Sequence, residues 1–279
     1  MAATPMRYLA EPVTYFKPFH EYDKNNNDQL ARPYTAELPN NDPLVIRYNT
    51  LAAQHIDYTK ILPRRVGEKV VRNDRNAELV LIKEVHSLLA APGLVQVLNA
   101  PTVVISRNPI YVVDSLLAYQ SIDVPIWRAE YNYVNDKCFL HSLYGESQAD
   151  TIFQALHEYP DDGIDRTNTI MGKALTVAII SSVLKRLADT SRLVKHVAYE
   201  ELCLAPMSLY QECAKHLGIE MGEQGKAFLK ETLQARSGKV HPTKTVHKDS
   251  RTQSTRPMKA LTETEIDMLR ELLSDCQLN

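Results

Sequence analysis

Arg107 and Ser115 are the residues whose types and spacing could act on an anion. Arg107 leaves the carboxyl end of a short apolar run, Val103–Ile105. Ser115 follows eight residues later, about two turns into a helix predicted over Ile110–Tyr119. A guanidinium gives a phosphate a forked pair of charge-assisted hydrogen bonds, and a hydroxyl adds one more. The plainer alternative is that Arg107 pairs with Asp114 or a helix end while Ser115 packs. A second group, Lys83, Glu84 and His86, follows the apolar run Leu79–Ile82. In extended chain Glu84 and His86 point to one side and Lys83 to the other. A carboxylate and an imidazole on one side suit removal of a proton from a hydroxyl, because histidine titrates near neutrality. The competing reading is a surface histidine with a charge partner. Two basic stretches complete the set. Arg236–Lys259 carries seven lysines and arginines against one acid, Asp249, and is long for a loop in a compact domain. Arg64, Arg65, Lys69, Arg72 and Arg75 form a shorter run. Each either helps attract an anionic ligand or is a solvated face.

The elements that must position these residues centre on Leu79–Tyr119. Neither apolar run alternates, which predicts strands covered on both faces, as in a parallel sheet. Leu88–Asn99 is predicted as a helix that Pro92 and Gly93 break or start late. Pro109 suits a first helical turn, where its missing N–H would be unpaired anyway. The unit is strand, crossover, strand, helix, with polar residues at the strand ends where open α/β sheets bind ligands. Elsewhere, Arg47–Arg65 is predicted as a helix, with His55 on its apolar stripe as a packed core residue. Ser121–Tyr159 is aromatic and irregular, its rings serving as core or as a stacking surface. Arg166–Leu187 is a helix capped by Asp165 and stopped at Asp189-Thr190. Arg192–Tyr199 is a third strand. Helices follow over Pro206–Leu217, ended by Gly218, over Gly222–Ala235, and over Leu261–Leu273 behind the acidic cap region Thr262–Glu265.

Composition sets the frame. The 279 residues can bury a sizeable core, and 44% hydrophobic with 24% charged residues is ordinary for a soluble globular chain, taken here as one domain over 1–279. A net charge of −2 gives no global bias toward nucleic acid or an anionic membrane. The four cysteines lack metal-like spacing and are expected to be reduced thiols. The most apolar run, Ala174–Leu184, is too short to span a bilayer, and a cytoplasmic location is expected.

Three segments, in order, resemble sulfotransferases that use 3′-phosphoadenosine 5′-phosphosulfate (PAPS). The strand followed by Arg107-Asn108-Pro109 and Ser115 resembles their 3′-phosphate motif. Val80–His86 resembles their substrate-side strand, and Val197–Leu202 with Pro206 is similar to their Tyr-Glu-Asp-Leu segment. The resemblance covers roughly residues 79 to 275 and implies an α/β fold, a parallel sheet flanked by helices in a P-loop-like arrangement. It implies PAPS as co-substrate, no metal, and a small-molecule or carbohydrate acceptor lined by the aromatic region. Arg107 and Ser115 would hold the 3′-phosphate, Tyr199 would contact the adenine, and His86 or Glu84 would deprotonate the acceptor. His86 is preferred, although it stands three residues after Lys83 where cytosolic members have two. Lys83 would stabilise charge near the leaving group. The basic loop would close over the 3′-phosphate, with Arg251 and Arg256 standing in for an absent Arg-Lys-Gly element. One departure is serious: no glycine precedes Gly67, so the family's glycine-containing 5′-phosphosulfate loop is missing. Met6–Ala10 looks like the tail of the helix after that loop, so the chain is expected to begin just beyond it and the sheet to lack its first strand. A non-catalytic relative that binds nucleotide or protein is the alternative. A phosphotransferase fits less well, since no G-x-x-x-x-G-K-[ST] is present.

Overall fold

The computed structural model describes residues 7–10, 39–42, 45–46, 49, 80–83, 88–118, 131–161, 163–234 and 257–278. The expected Arg47–Arg65 helix, the cationic run from Arg64 to Arg75, and Trp127 lie outside them or nearly so. The described strands form two parallel pairs. Strand β1 (Arg7–Ala10) runs parallel to β2 (Val80–Lys83), with Ala10 opposite Lys83. The stretch read as the tail of a helix is therefore a strand, as suits Tyr and Leu with a neighbouring apolar strand to pair with. Strand β3 (Thr102–Ser106) runs parallel to β4 (Val194–Ala198), with Ser106 opposite Ala198. Among the described residues β2 and β3 belong to separate pairs. Parallel strands linked by helices make this an α/β chain in which helix predominates.

Between β2 and β3 the chain makes a 3-10 turn (Leu88–Ala90) and then helix α1 (Ala91–Leu98), with Pro92 in its first turn and Asn99 closing it at φ 47°. This is the delayed start that Pro92 predicts. Helix α2 (Pro109–Ala118) begins on Pro109 as expected. Strand β3 departs from the prediction of burial on both faces. Val104 is buried but Ile105 is 52% exposed.

Of the stretch Ser121–Tyr159, expected to be irregular, residues 121–130 lie outside the described residues and the rest is largely helical. Residues 131–134 form a turn of helix, followed by α3 (Lys137–Tyr144) and α4 (Glu146–Glu158). Asp136 caps α3 by accepting from Phe139 N–H. Leu140, Ala149, Ile152, Ala155 and Leu156 bury the inner stripe. The aromatic rings Tyr131, Tyr133, Phe139, Tyr144, Phe153 and Tyr159 all join or pack on the core. Aromatic density hid a helical period here.

Helix α5 (Arg166–Thr190) is the axis of the core. Every residue from Thr169 to Ile180 is buried, the mark of a helix surrounded on all sides. Asp165 caps it, accepting from Asn168 N–H at 2.8 Å. The helix packs against both β3 and β4 and against α2 and α4. Gly172 allows the loop after α4 to press on it, since an added Cβ would meet Tyr159 O at 2.5 Å. Beyond β4 come α6 (Tyr199–Leu204), α7 (Pro206–His216), α8 (Glu223–Gln234) and α9 (Glu263–Asp275). Gly218 ends α7 at φ 69°, and Ile219 N–H returns to Ala214 O. A Thr262–Glu265 capping box opens α9. All four cysteines are free thiols. Among the described residues no helix is long and apolar enough to cross a membrane.

Candidate functional site

The carboxyl ends of β3 and β4 lie side by side, because the two strands are parallel and paired through Ser106 and Ala198. Each chain then turns directly into a helix. Arg107 and Asn108 connect β3 to α2, while Tyr199 opens α6 without a linker. Tyr199 was expected to close the strand and instead starts the helix, one residue beyond β4.

This arrangement brings Arg107 and Tyr199 together. The Arg107 guanidinium carbon lies 4.9 Å from the Tyr199 ring centroid and 5.6 Å from that of Tyr111, in the first turn of α2. Both distances fall within the range of cation–π attraction. Arg107 Nε is buried and has no hydrogen-bond partner among the described residues. Burial pushes the Tyr199 phenol pKa up, with Cys203 adding to the rise and Arg107 opposing it. The ring therefore stays a neutral face for the cation.

Polar contacts fix the surrounding backbone. Asn108 Oδ1 accepts from Ile110 N–H at 3.0 Å, capping the start of α2. Asn108 N–H donates to Glu200 Oε1 at 3.1 Å, which ties the end of β4 to the end of β3 and sets a carboxylate at the positive end of α2. One residue inside the strands, Ser106 Oγ and His196 Nε2 are joined at 2.7 Å. Burial lowers the His196 pKa, and Lys185 lowers it further against the pull of Glu201 and Asp189. At the opposite strand ends His216 Nε2 bonds the carbonyls of Thr102 and Leu193.

Ser115 lies where predicted, two turns into α2 and partly buried, with no hydrogen bond to Arg107 among the described residues. Its neighbour Asp114 is fully buried. Asp114 Oδ1 accepts from the backbone N–H groups of Lys259 and Ala260 at 2.8 Å and of Leu261 at 3.3 Å. The last residue of the basic stretch is thus pinned beside Ser115 through its backbone. Lys83 ends β2. Glu84, His86, Arg251 and Arg256 lie outside the described residues.

Tyr111, Asp114, Glu200 and His196 were not singled out from sequence as site residues. Tyr111 carried a usable signal, an aromatic four residues after Arg107 and hence one helical turn along. Asp114 carried another, a carboxylate inside an apolar helix. Glu200 and His196 carried none, since their partners belong to the other strand.

No protein-family model, curated protein or solved structure matches the chain.

Proposed function

We propose that the chain is a PAPS-dependent sulfotransferase of P-loop-like α/β architecture, with the 3′-phosphate held at Arg107 and Ser115. One observation carries this reading. A strand-end arginine is partly buried, its Nε has no partner among the described residues, and it stands beside the tyrosine of a second family-like segment. A buried N–H costs stability unless it meets an acceptor, and an anion bound in the fork of the guanidinium supplies one.

In the proposed reaction the acceptor oxygen attacks sulfur in line. The bond from sulfur to the bridging phosphate oxygen breaks, and the acceptor proton passes to His86 or Glu84. Lys83 offsets charge that develops on the departing oxygen. The basic residues Arg251 and Arg256 complete the phosphate contacts in this scheme.

A titration with 3′-phosphoadenosine 5′-phosphate, adenosine 5′-phosphate and ATP tests the assignment. The bisphosphate is expected to bind most tightly. Equal affinity for adenosine 5′-phosphate would remove the 3′-phosphate site, and preference for ATP would favour phosphoryl transfer. One observation favours the second reading, a non-catalytic nucleotide-binding relative: the Asn108 amide at the start of α2 is already engaged by Glu200. Tight binding of the bisphosphate without turnover of PAPS on any hydroxyl or amine acceptor panel selects it.

A further inference from the structure

The resemblance assigns Tyr199 to the adenine, but its ring has another occupant. Its face is turned to the Arg107 guanidinium at 4.9 Å. Tyr111 approaches the same guanidinium at 5.6 Å from a different helix. An arginine side chain has several freely rotating bonds, and a forked contact with phosphate needs its plane and edge set in advance. Rings near the guanidinium attract it to their faces and limit its rotation. The Nε on its N–H edge is buried and lacks an acceptor among the described residues.

We propose that Tyr199 and Tyr111 are positioning residues for Arg107, jointly orienting its guanidinium so that the Nε edge reads a phosphomonoester. This inference rests on the assignment of Arg107 as the 3′-phosphate ligand. Tyr199 comes from the strand-to-helix junction of β4 and Tyr111 from the first turn of α2, so the packing of the two helices sets the aim of the arginine. The rings contribute faces, not hydroxyls, to this task. Phenylalanine should replace either tyrosine, and leucine should not.

The test compares wild type, Tyr199→Leu, Tyr111→Leu and the corresponding Phe variants. Each is titrated with 3′-phosphoadenosine 5′-phosphate and with adenosine 5′-phosphate. Loss of cation–π orientation is expected to reduce the preference for the 3′-phosphate about three- to thirtyfold in the Leu variants, Tyr199 more than Tyr111. The Phe variants should keep the wild-type preference. If Tyr199→Leu weakens both ligands equally, the ring serves the base and the proposal fails for that residue. If Tyr111→Leu keeps the full preference, Tyr111 has no positioning role. Wild type without any preference would instead overturn the phosphate assignment itself. A readout independent of affinity is the Arg107 Hε resonance. It should be shielded by the rings in the free protein, move toward ordinary values in the Leu variants, and shift downfield when the bisphosphate binds. An unshielded Hε in wild type contradicts the stacked arrangement.

Discussion

Two partly or wholly buried cations, Arg107 and Lys173, are treated by this fold in opposite ways. Lys173 sits on the central helix with no exposure, and its ammonium is bonded to the carboxylate of Asp161, itself 2% exposed at the side chain. Arg107 sits at the strand ends with two aromatic rings beside it and its Nε lacking an acceptor among the described residues. The first charge is neutralised inside the fold, where it fastens the loop after α4 to α5. The second lies beside rings, with no ion pair among the described residues. A charge that is satisfied by the fold serves the fold, and one that is oriented yet unsatisfied is suited to something that arrives later.

The comparison can be broken by mutating both cations. Lys173→Ala should leave the Asp161 carboxylate buried and unpaired, a loss of about 3–5 kcal/mol in stability by chemical denaturation. Replacing both partners with apolar residues, Lys173→Met with Asp161→Leu, should recover much of it. Arg107→Ala should shift the unfolding free energy by no more than about 2 kcal/mol, the value of a partly desolvated cation–π contact. It should nevertheless weaken 3′-phosphoadenosine 5′-phosphate by about 1.5–3 kcal/mol, as expected for a charged hydrogen bond. If Arg107→Ala destabilises as much as Lys173→Ala, the contrast between the two cations disappears.

Asp114 sharpens the picture from the anionic side. Its Oδ1 accepts from the backbone amides of Lys259, Ala260 and Leu261, so it resembles Asp161 more than it resembles a ligand group. Asp114→Ala should cost about 1–3 kcal/mol by stranding buried donors. Ser115→Ala, one residue away, should leave the unfolding curve close to wild type while weakening the bisphosphate. Equal destabilisation by both substitutions would merge Ser115 with the structural set.

The smallest expected effect is a pH dependence at His196. Its folded-state pKa lies below the ordinary 6.5 because burial disfavours the imidazolium. The unfolded chain therefore takes up the proton first. Stability should be full above that range and decline as the pH falls through the folded-state value. Lys185 adds to the effect, while Glu201 and Asp189 reduce it. His196→Gln should flatten this part of the stability–pH curve, and an unchanged slope would assign the dependence to other groups.

Much of the helical frame could be read from local signals. Pro92, Pro109, Asp165, Gly218 and Thr262 each mark an end or a start within a residue or two of the observed one, because caps and prolines act through the adjacent backbone. The helices α3 and α4 could not be read as easily, since rings dominated a stretch whose buried residues do recur at helical spacing. Arg107 was singled out because it follows an apolar strand, where polar residues gather in α/β proteins, and Tyr199 because its segment resembles that of a known family. Their partners were not. Glu200 acts on an amide 92 residues away in sequence, and Asp114 on a turn 145 residues away. Contacts at such separations are made by packing, and the residues on either side of them look unremarkable in a single sequence. The exposure of Ile105 was likewise hidden, since an apolar run does not say how many neighbours its strand will have.

The central claim is that Arg107 is oriented to receive a phosphomonoester. Its most direct test is a four-point titration cycle, in which wild type and Arg107→Ala are each measured with 3′-phosphoadenosine 5′-phosphate and adenosine 5′-phosphate. The account predicts that the substitution costs the bisphosphate at least tenfold more than the ligand without the 3′-phosphate, which is about 1.4 kcal/mol of coupling between that phosphate and that side chain. Equal losses for the two ligands, with both proteins folded to the same extent, would contradict it.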